Sequence, residues 1–406
     1  MAAFFNAARH STTLIMWVLV VVVTTGAIET DIFVPSFPVI KDYFATSESW
    51  VQMIVGINFL GLCISSLAYG PLSDTYGRRN TMLVGNILFL VASIGCITAT
   101  SIETLLVWRF IQGLGTSVVF VVPGAIIYDI YTKEEAAKAL GWFGALITFT
   151  MACAPVLGAY ISETLGWQAN FILVGGLSVI SFLLILFLIP ETLPMEQRMS
   201  LHYKKVMQNY FSVLTSRTSF WYMIIICCLF AGELIYITNL SLIFIDNLQV
   251  DERLYSYYQG AILLTFAIFS YLSGRFIYRF GLTFIRNLGF GLTAFGGFAL
   301  LAVALLAPTN PLLITIAMCI YSLGFALCCG ILFGDFMHLF PEIKGAAAAF
   351  VSFIRLLFIS VMIAIAGNLY DGTIIPVAWM IAIFCMLLII GWISLPKSTP
   401  EKGVIN

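Results

Sequence analysis

The chain has 406 residues, of which 61% are hydrophobic and only 10% charged, with a mean hydropathy of +1.02. A water-soluble domain is about a quarter charged, so 19 basic and 20 acidic residues are too few to solvate a surface of this size. The net charge of -1 comes without a basic stripe, which excludes a nucleic-acid binder and leaves a polytopic membrane protein.

A helix needs about 20 apolar residues to cross the hydrocarbon core. In chain order such stretches fall at 12–40, 49–73, 80–100, 103–130, 135–161, 168–190, 219–246, 254–279, 284–306, 311–338, 343–369 and 374–396. The first follows Arg9 and could be read as a signal peptide, but no small-residue cleavage site follows and the apolar run continues past Phe33. It is expected to be retained, and to tilt or break at Pro35 and Pro38. Glu29 and Asp31 lie within it, about 200° apart around a regular helix, so they share a face only if the helix distorts. A helix opened by two prolines beside a carboxylate is a candidate proton or cation site.

Between the second and third stretches runs Gly70-Pro71-Leu72-Ser73-Asp74-Thr75-Tyr76-Gly77-Arg78-Arg79. The glycines suit a tight turn, and Asp74, Arg78 and Arg79 suit charge-assisted bonds to a neighbouring helix end. Asp129, at the end of the fourth stretch, is the expected acidic partner, and the assembly reads as a gating or structural element. Arg109, with Gln112 beside it, lies inside the fourth stretch; Gly144, Pro155 and Gly158 strip bulk from the fifth and suggest a bendable seal between close-packed helices. Residues 195–218 are polar and basic and read as a linker between two units, 1–194 and 219–406. Beyond it, Glu233 lies in the seventh stretch and Arg355 in the eleventh. Asn58, Tyr236 and Asn239 are further polar side chains near mid-span.

Ionisable groups inside a span are expensive and usually face a cavity or a partner. Burial disfavours a charged carboxylate and a nearby arginine favours it, so a proton carrier must sit between those limits. Asp31 is the preferred coupling residue with Arg109 tuning it, Glu29 is the second choice, and a permanent Asp31–Arg109 pair is the alternative. Glu233 either faces Glu29 across a cavity or pairs with Arg355. Three acids against two arginines lean the cavity toward neutral or cationic cargo.

Fifteen of the nineteen lysines and arginines fall on one side of the alternating spans, which places both termini and the linker in the cytoplasm. Gly70, Gly77 and Gly85 recur 204 positions later as Gly274, Gly281 and Gly289, and Gly124, Asp129 and Lys138 recur 206 later as Gly330, Asp335 and Lys344. Two similar six-helix units follow, with a site expected between them near mid-membrane. The nine cysteines lie in apolar stretches without ligand spacing, no nucleotide-binding loop is present, and no metal or cofactor is expected.

The 70–79 string resembles the loop motif of the major facilitator superfamily. Arg109-Phe110-Ile111-Gln112-Gly113 resembles its R-x-x-Q-G motif, and Ala154-Pro155-Val156-Leu157-Gly158-Ala159 its antiporter motif. Thr30-Asp31-Ile32-Phe33-Val34-Pro35-Ser36-Phe37-Pro38 and Pro190-Glu191-Thr192-Leu193-Pro194 resemble segments of the Bcr/CflA-type multidrug exporters. Thr75 stands where an Arg or Lys is usual, and Ala154 and Ala159 where glycines are commoner. The resemblance covers the first half, to about residue 194. It implies an all-α fold of twelve transmembrane helices in two pseudo-symmetric bundles, in a bacterial inner membrane, working as a monomer. It also implies export of lipophilic neutral or cationic compounds in exchange for protons. A metabolite transporter of the same fold, for a siderophore or an amino-acid derivative, is the alternative; a non-transporting receptor would not need five charges inside its spans.

Overall fold

The computed structural model describes residues 12–198, 203–341 and 343–395. Its first helix, α1, runs Thr12–Asp31 and stops where the prolines require. Pro35 cannot donate to the carbonyl of Asp31, nor Pro38 to that of Val34. A tight 3-10 turn, Val34–Ser36, carries the chain into α2, Phe37–Phe44, so the expected break is real and the first crossing is made of two pieces. Then come α3 (Glu48–Tyr76), α4 (Arg78–Ile97), α5 (Ile102–Ile130), α6 (Lys133–Leu165) and α7 (Gln168–Leu188). Reciprocal caps start α5 at Ser101 and Thr104, and α6 at Thr132 and Glu135.

The stretch expected to be a plain linker holds a helix, α8, Tyr203–Thr215. Tyr210 and Val213, one turn apart, are buried, and Tyr210 stacks on Phe350 at 5.4 Å. The charge of this segment hid an amphipathic repeat. The second unit follows as α9 (Arg217–Ser241, widening into a π-turn Leu242–Asn247), α10 (Glu252–Phe280), α11 (Leu282–Leu306), α12 (Pro311–His338), α13 (Lys344–Leu369) and α14 (Ile375–Ser394).

Eleven segments among the described residues are long and apolar enough to cross a membrane, and the 33-residue α6 completes the twelve. Outward faces are apolar, as in the stripe Val84, Ile87, Val91 and Ile94 along α4. Such a face suits lipid and not water. Of the basic residues used to orient the chain, Arg9, Lys397 and Lys402 lie outside the described residues, as do His10 and His202 and the side chains of Lys133, Lys138, Lys204, Lys205 and Lys344.

Helices α1 to α7 pack as one bundle and α9 to α14 as another. The bundles meet through α3 against α13 and through α6 against α10. Exchanging the halves converts one of these contacts into the other, so the interface has the two-fold character expected of a repeat. The recurring glycines divide by purpose. Gly77 and Gly281 end their helices at φ +95° and +84°, a region that favours glycine. A Cβ on Gly85 would stand 2.6 Å from Val118, and one on Gly289 would stand 2.8 Å from the Gly324 carbonyl, so both permit close packing. Gly70, Gly274 and Gly330 have open space around them.

Candidate functional site

The centre of the first bundle is a closed charge network. Glu29 and Arg109, each about 1% exposed at the side chain, form an ion pair through Oε1 and Nη1. The same carboxylate accepts from Asn58 Nδ2 at 3.0 Å and from Thr116 Oγ1 at 3.3 Å. Arg109 also donates to the Ile54 carbonyl at 3.3 Å and to Gln112, whose amide donates to Ser93 at 2.8 Å. The guanidinium lies 4.2 Å from the centroid of the Phe33 ring. The crossing of α3 and α5 that holds this network is tight. A Cβ on Gly113 would meet the Asn58 carbonyl at 2.1 Å, and one on Gly61 would meet the Phe110 carbonyl at 2.2 Å.

Asp31 is buried, at 3% exposure, yet among the described residues it forms no ion pair. Among the described residues its side-chain bond comes from Thr30 Oγ1 at 3.4 Å. The alternative of a permanent Asp31–Arg109 pair is therefore corrected: Glu29 takes the arginine. The physical reason is the 200° between the two positions, which turns Glu29 toward α3 and α5 and leaves Asp31 on a different side of α1, at the helix break.

In the second bundle Glu233 accepts from Ser322 Oγ at 2.6 Å, while its other oxygen is buried without a partner. Arg355 does not pair with it, which corrects one of the two readings offered for this acid, a Glu233–Arg355 pair. The guanidinium instead lies 4.3 Å from the Phe230 ring and 5.5 Å from that of Phe333, one turn along α9 from the acid. Glu29 and Glu233 are each bonded within their own bundle. Of the other expected cavity residues, Asn58 and Gln112 belong to the Arg109 network. Tyr236 and Asn239 are fully buried, and Asn239 accepts from Gln52 Nε2 of α3 at 2.8 Å, a bond that joins the bundles. Gln52, Ser93, Thr116 and Ser322 were not singled out in the sequence; a glutamine inside an apolar stretch was a visible signal, whereas serine and threonine are ordinary within helices.

At the end of the bundles where α3 meets α4, the expected cluster assembles. Arg78 donates to Asp74, to Ser73 Oγ at 2.7 Å and to Asp129 Oδ2 at 3.2 Å. Arg79 reaches the Leu186 carbonyl at 2.6 Å. Glu191, unremarked as a partner in the sequence, accepts from the Arg78 backbone at 2.8 Å. In the other half Arg286 binds Asp335 at 2.7 Å, one turn beyond the position equivalent to Arg78. In α6, Pro155 and Gly158 are buried and Gly144 is exposed, and a Cβ on Gly158 would stand 1.6 Å from the Ile32 carbonyl. At the opposite end, ion pairs cross between bundles: Lys41 with Asp246, and Arg253 with Glu163 through a fork at 2.8 and 2.9 Å.

The family profile described as Major Facilitator Superfamily matches residues 18–366. A bicyclomycin resistance protein homolog of Haemophilus influenzae is 25% identical over 278 residues, which span 68% of this chain and 69% of that protein. The multidrug resistance protein MdtL of Klebsiella pneumoniae is 32% identical over 164 residues, 40% of this chain and 42% of its own length. The xylose transporter XylE from E. coli, in a partially occluded inward-open conformation, superposes with a TM-score of 0.73 at 15% identity, covering 95% of this chain and 98% of that one.

Proposed function

This chain belongs to the major facilitator superfamily, and on that premise we propose that it is a proton-coupled exporter of lipophilic small molecules. Membership makes it a multi-pass membrane transporter and not an enzyme; coupling, direction and cargo are the proposal. The observation that carries it is the contrast at the end of α1. Glu29 is locked to Arg109, while Asp31 is buried at a proline-opened helix and, among the described residues, forms no ion pair. A carboxylate in that setting can gain and lose a proton as the bundles rock, and cargo arriving beside it would compete with the proton. One charge moving through 100 mV supplies about 2.3 kcal/mol, enough to drive accumulation.

In this reading residues 1–194 and 219–406 are the rocking units joined by 195–218, and a single chain is the working unit. The setting is a bacterial inner membrane with the termini and the Arg78 cluster cytoplasmic. The Arg78–Asp74–Asp129 cluster with Gly70, Gly77 and Arg79 steadies the cytoplasmic end, and Pro155 and Gly158 let α6 flex against α1. Glu233 is the second candidate for proton exchange, because one of its oxygens has no partner. The resistance names of the relatives support lipophilic cargo. Acids outnumber arginines in the spans, but Arg109 is spent on Glu29, so the sum alone does not fix the charge of the cargo.

Everted membrane vesicles with an acidic lumen test the proposal, with labelled bicyclomycin and 2-naphthyl compounds of each charge as probes. Accumulation that a protonophore collapses, and that Asp31→Asn abolishes, is expected. Accumulation indifferent to the protonophore, or seen only in right-side-out vesicles, overturns proton-driven export.

A further inference from the structure

Arg78, Arg109 and Arg286 each close on a carboxylate. Arg355 stands apart. It lies near the middle of α13, and among the described residues no carboxylate and no hydrogen-bond acceptor meets its guanidinium. The rings of Phe230 on α9 and Phe333 on α12 have their centroids 4.3 and 5.5 Å from its guanidinium carbon. These rings belong to a wall that continues through Phe325 to Phe266 of α10, with ring centroids 4.8 Å apart at both steps. Arg355, Phe230, Phe266 and Phe333 are all partly exposed, so the wall and the cation border accessible space.

A guanidinium presents its N–H donors at its edge, in the plane. The neighbouring phenylalanine rings offer that edge no oxygen to bond, and Nε is buried without a partner. A cation held mid-span with its donors unused is matched by a planar anion, which takes two parallel bonds from the fork. The neighbouring phenylalanines would take an apolar or aromatic body and would offer nothing to a small hydrated ion.

We propose that Arg355 and the Phe230–Phe333 rings form a subsite for the acidic group of a lipophilic organic anion, the cargo of the second bundle. This rests on the transporter reading, but its test is made at equilibrium without a gradient, so coupling and cargo class can fail separately. Purified protein in phosphatidylcholine nanodiscs is titrated with labelled 2-naphthoate, with 2-naphthamide and 2-naphthylmethylammonium as competitors of equal shape. Naphthoate should bind about tenfold or more tightly than either competitor, the size of a bond to a charged group. Arg355→Gln should remove that preference while leaving the amide unchanged. If that variant does not insert, Arg355→Lys and Phe230→Leu keep the charge and should each weaken naphthoate several-fold. Absence of saturable naphthoate binding, equal binding of the three probes, or naphthoate affinity unmoved by the variants would show the arginine to be only a ring-packed structural cation.

Discussion

Glu29 and Asp31 are two residues apart and have opposite surroundings, which separates their expected responses to mutation. Glu29→Gln preserves shape and keeps one oxygen to accept from Asn58, but strands the Arg109 charge in the bundle core. Breaking a buried ion pair from one side destabilises by about 3–5 kcal/mol. Asp31→Asn removes a buried charge that has no ionic partner and should leave stability nearly unchanged. Thermal unfolding in detergent should therefore show a markedly lower midpoint for Glu29→Gln and a near wild-type one for Asp31→Asn; the reverse order would mean that Arg109 serves Asp31. The sequence made all three residues conspicuous, because charges inside apolar stretches need a reason. Their pairing was not legible. Both acids sit on one helix, and which of them meets α5 depends on how α1, α3 and α5 pack. The same limit applies to Glu233 and Arg355, where the arginine's actual partners are phenylalanines, residues too common here to signal anything.

Among the helices, those defined by a single strong rule were readable and those set by neighbours were not. Twelve apolar stretches, the proline break after Asp31, and the turn glycines at 77 and 281 follow from length, missing donors and backbone freedom. Helix α8 escaped because its apolar residues are few and its neighbours charged, and the π-turn at Leu242–Asn247 carries no composition mark. Helix α6 shows what close approach requires. Gly158 admits the Ile32 carbonyl just past the end of α1, where a methyl group would stand 1.6 Å from the oxygen. Gly158→Ala must push the broken segment away and should destabilise by about 1–3 kcal/mol, the usual range for overpacking. Transport should fall with it, because the displaced turn follows Asp31. Gly176→Ala on α7, where a Cβ meets nothing within 4 Å, should be silent in both unfolding and transport assays. Equal effects of the two substitutions would mean that helix propensity, and not contact, governs these positions.

For the whole molecule, the two-fold arrangement makes the state of one end consequential. The α3–α13 and α6–α10 seams are mates, and the end away from the Arg78 cluster carries two charged clasps between bundles: Arg253 with Glu163 across the α6–α10 seam, and Lys41 of α2 with Asp246 of the π-turn after α9. Gln52 and Asn239 bond between bundles just inside that end. The structure is thus closed there, and opening it requires these contacts to part. Lys41 is only 18% exposed at the side chain and Asp246 30%, so their attraction is less screened than that of a surface pair. Lys41→Glu would set three acids together, with Asp246 and Glu48, and bias the population toward opening at that end. A cysteine placed at Gln52 should then react several-fold faster with an impermeant maleimide than it does beside the native lysine. Adding Asp246→Lys should restore the attraction and slow the reaction again. Labelling that rises with Lys41→Glu but does not return in the charge-swapped protein would mean that the lysine acts through packing and that charge does not hold the end shut.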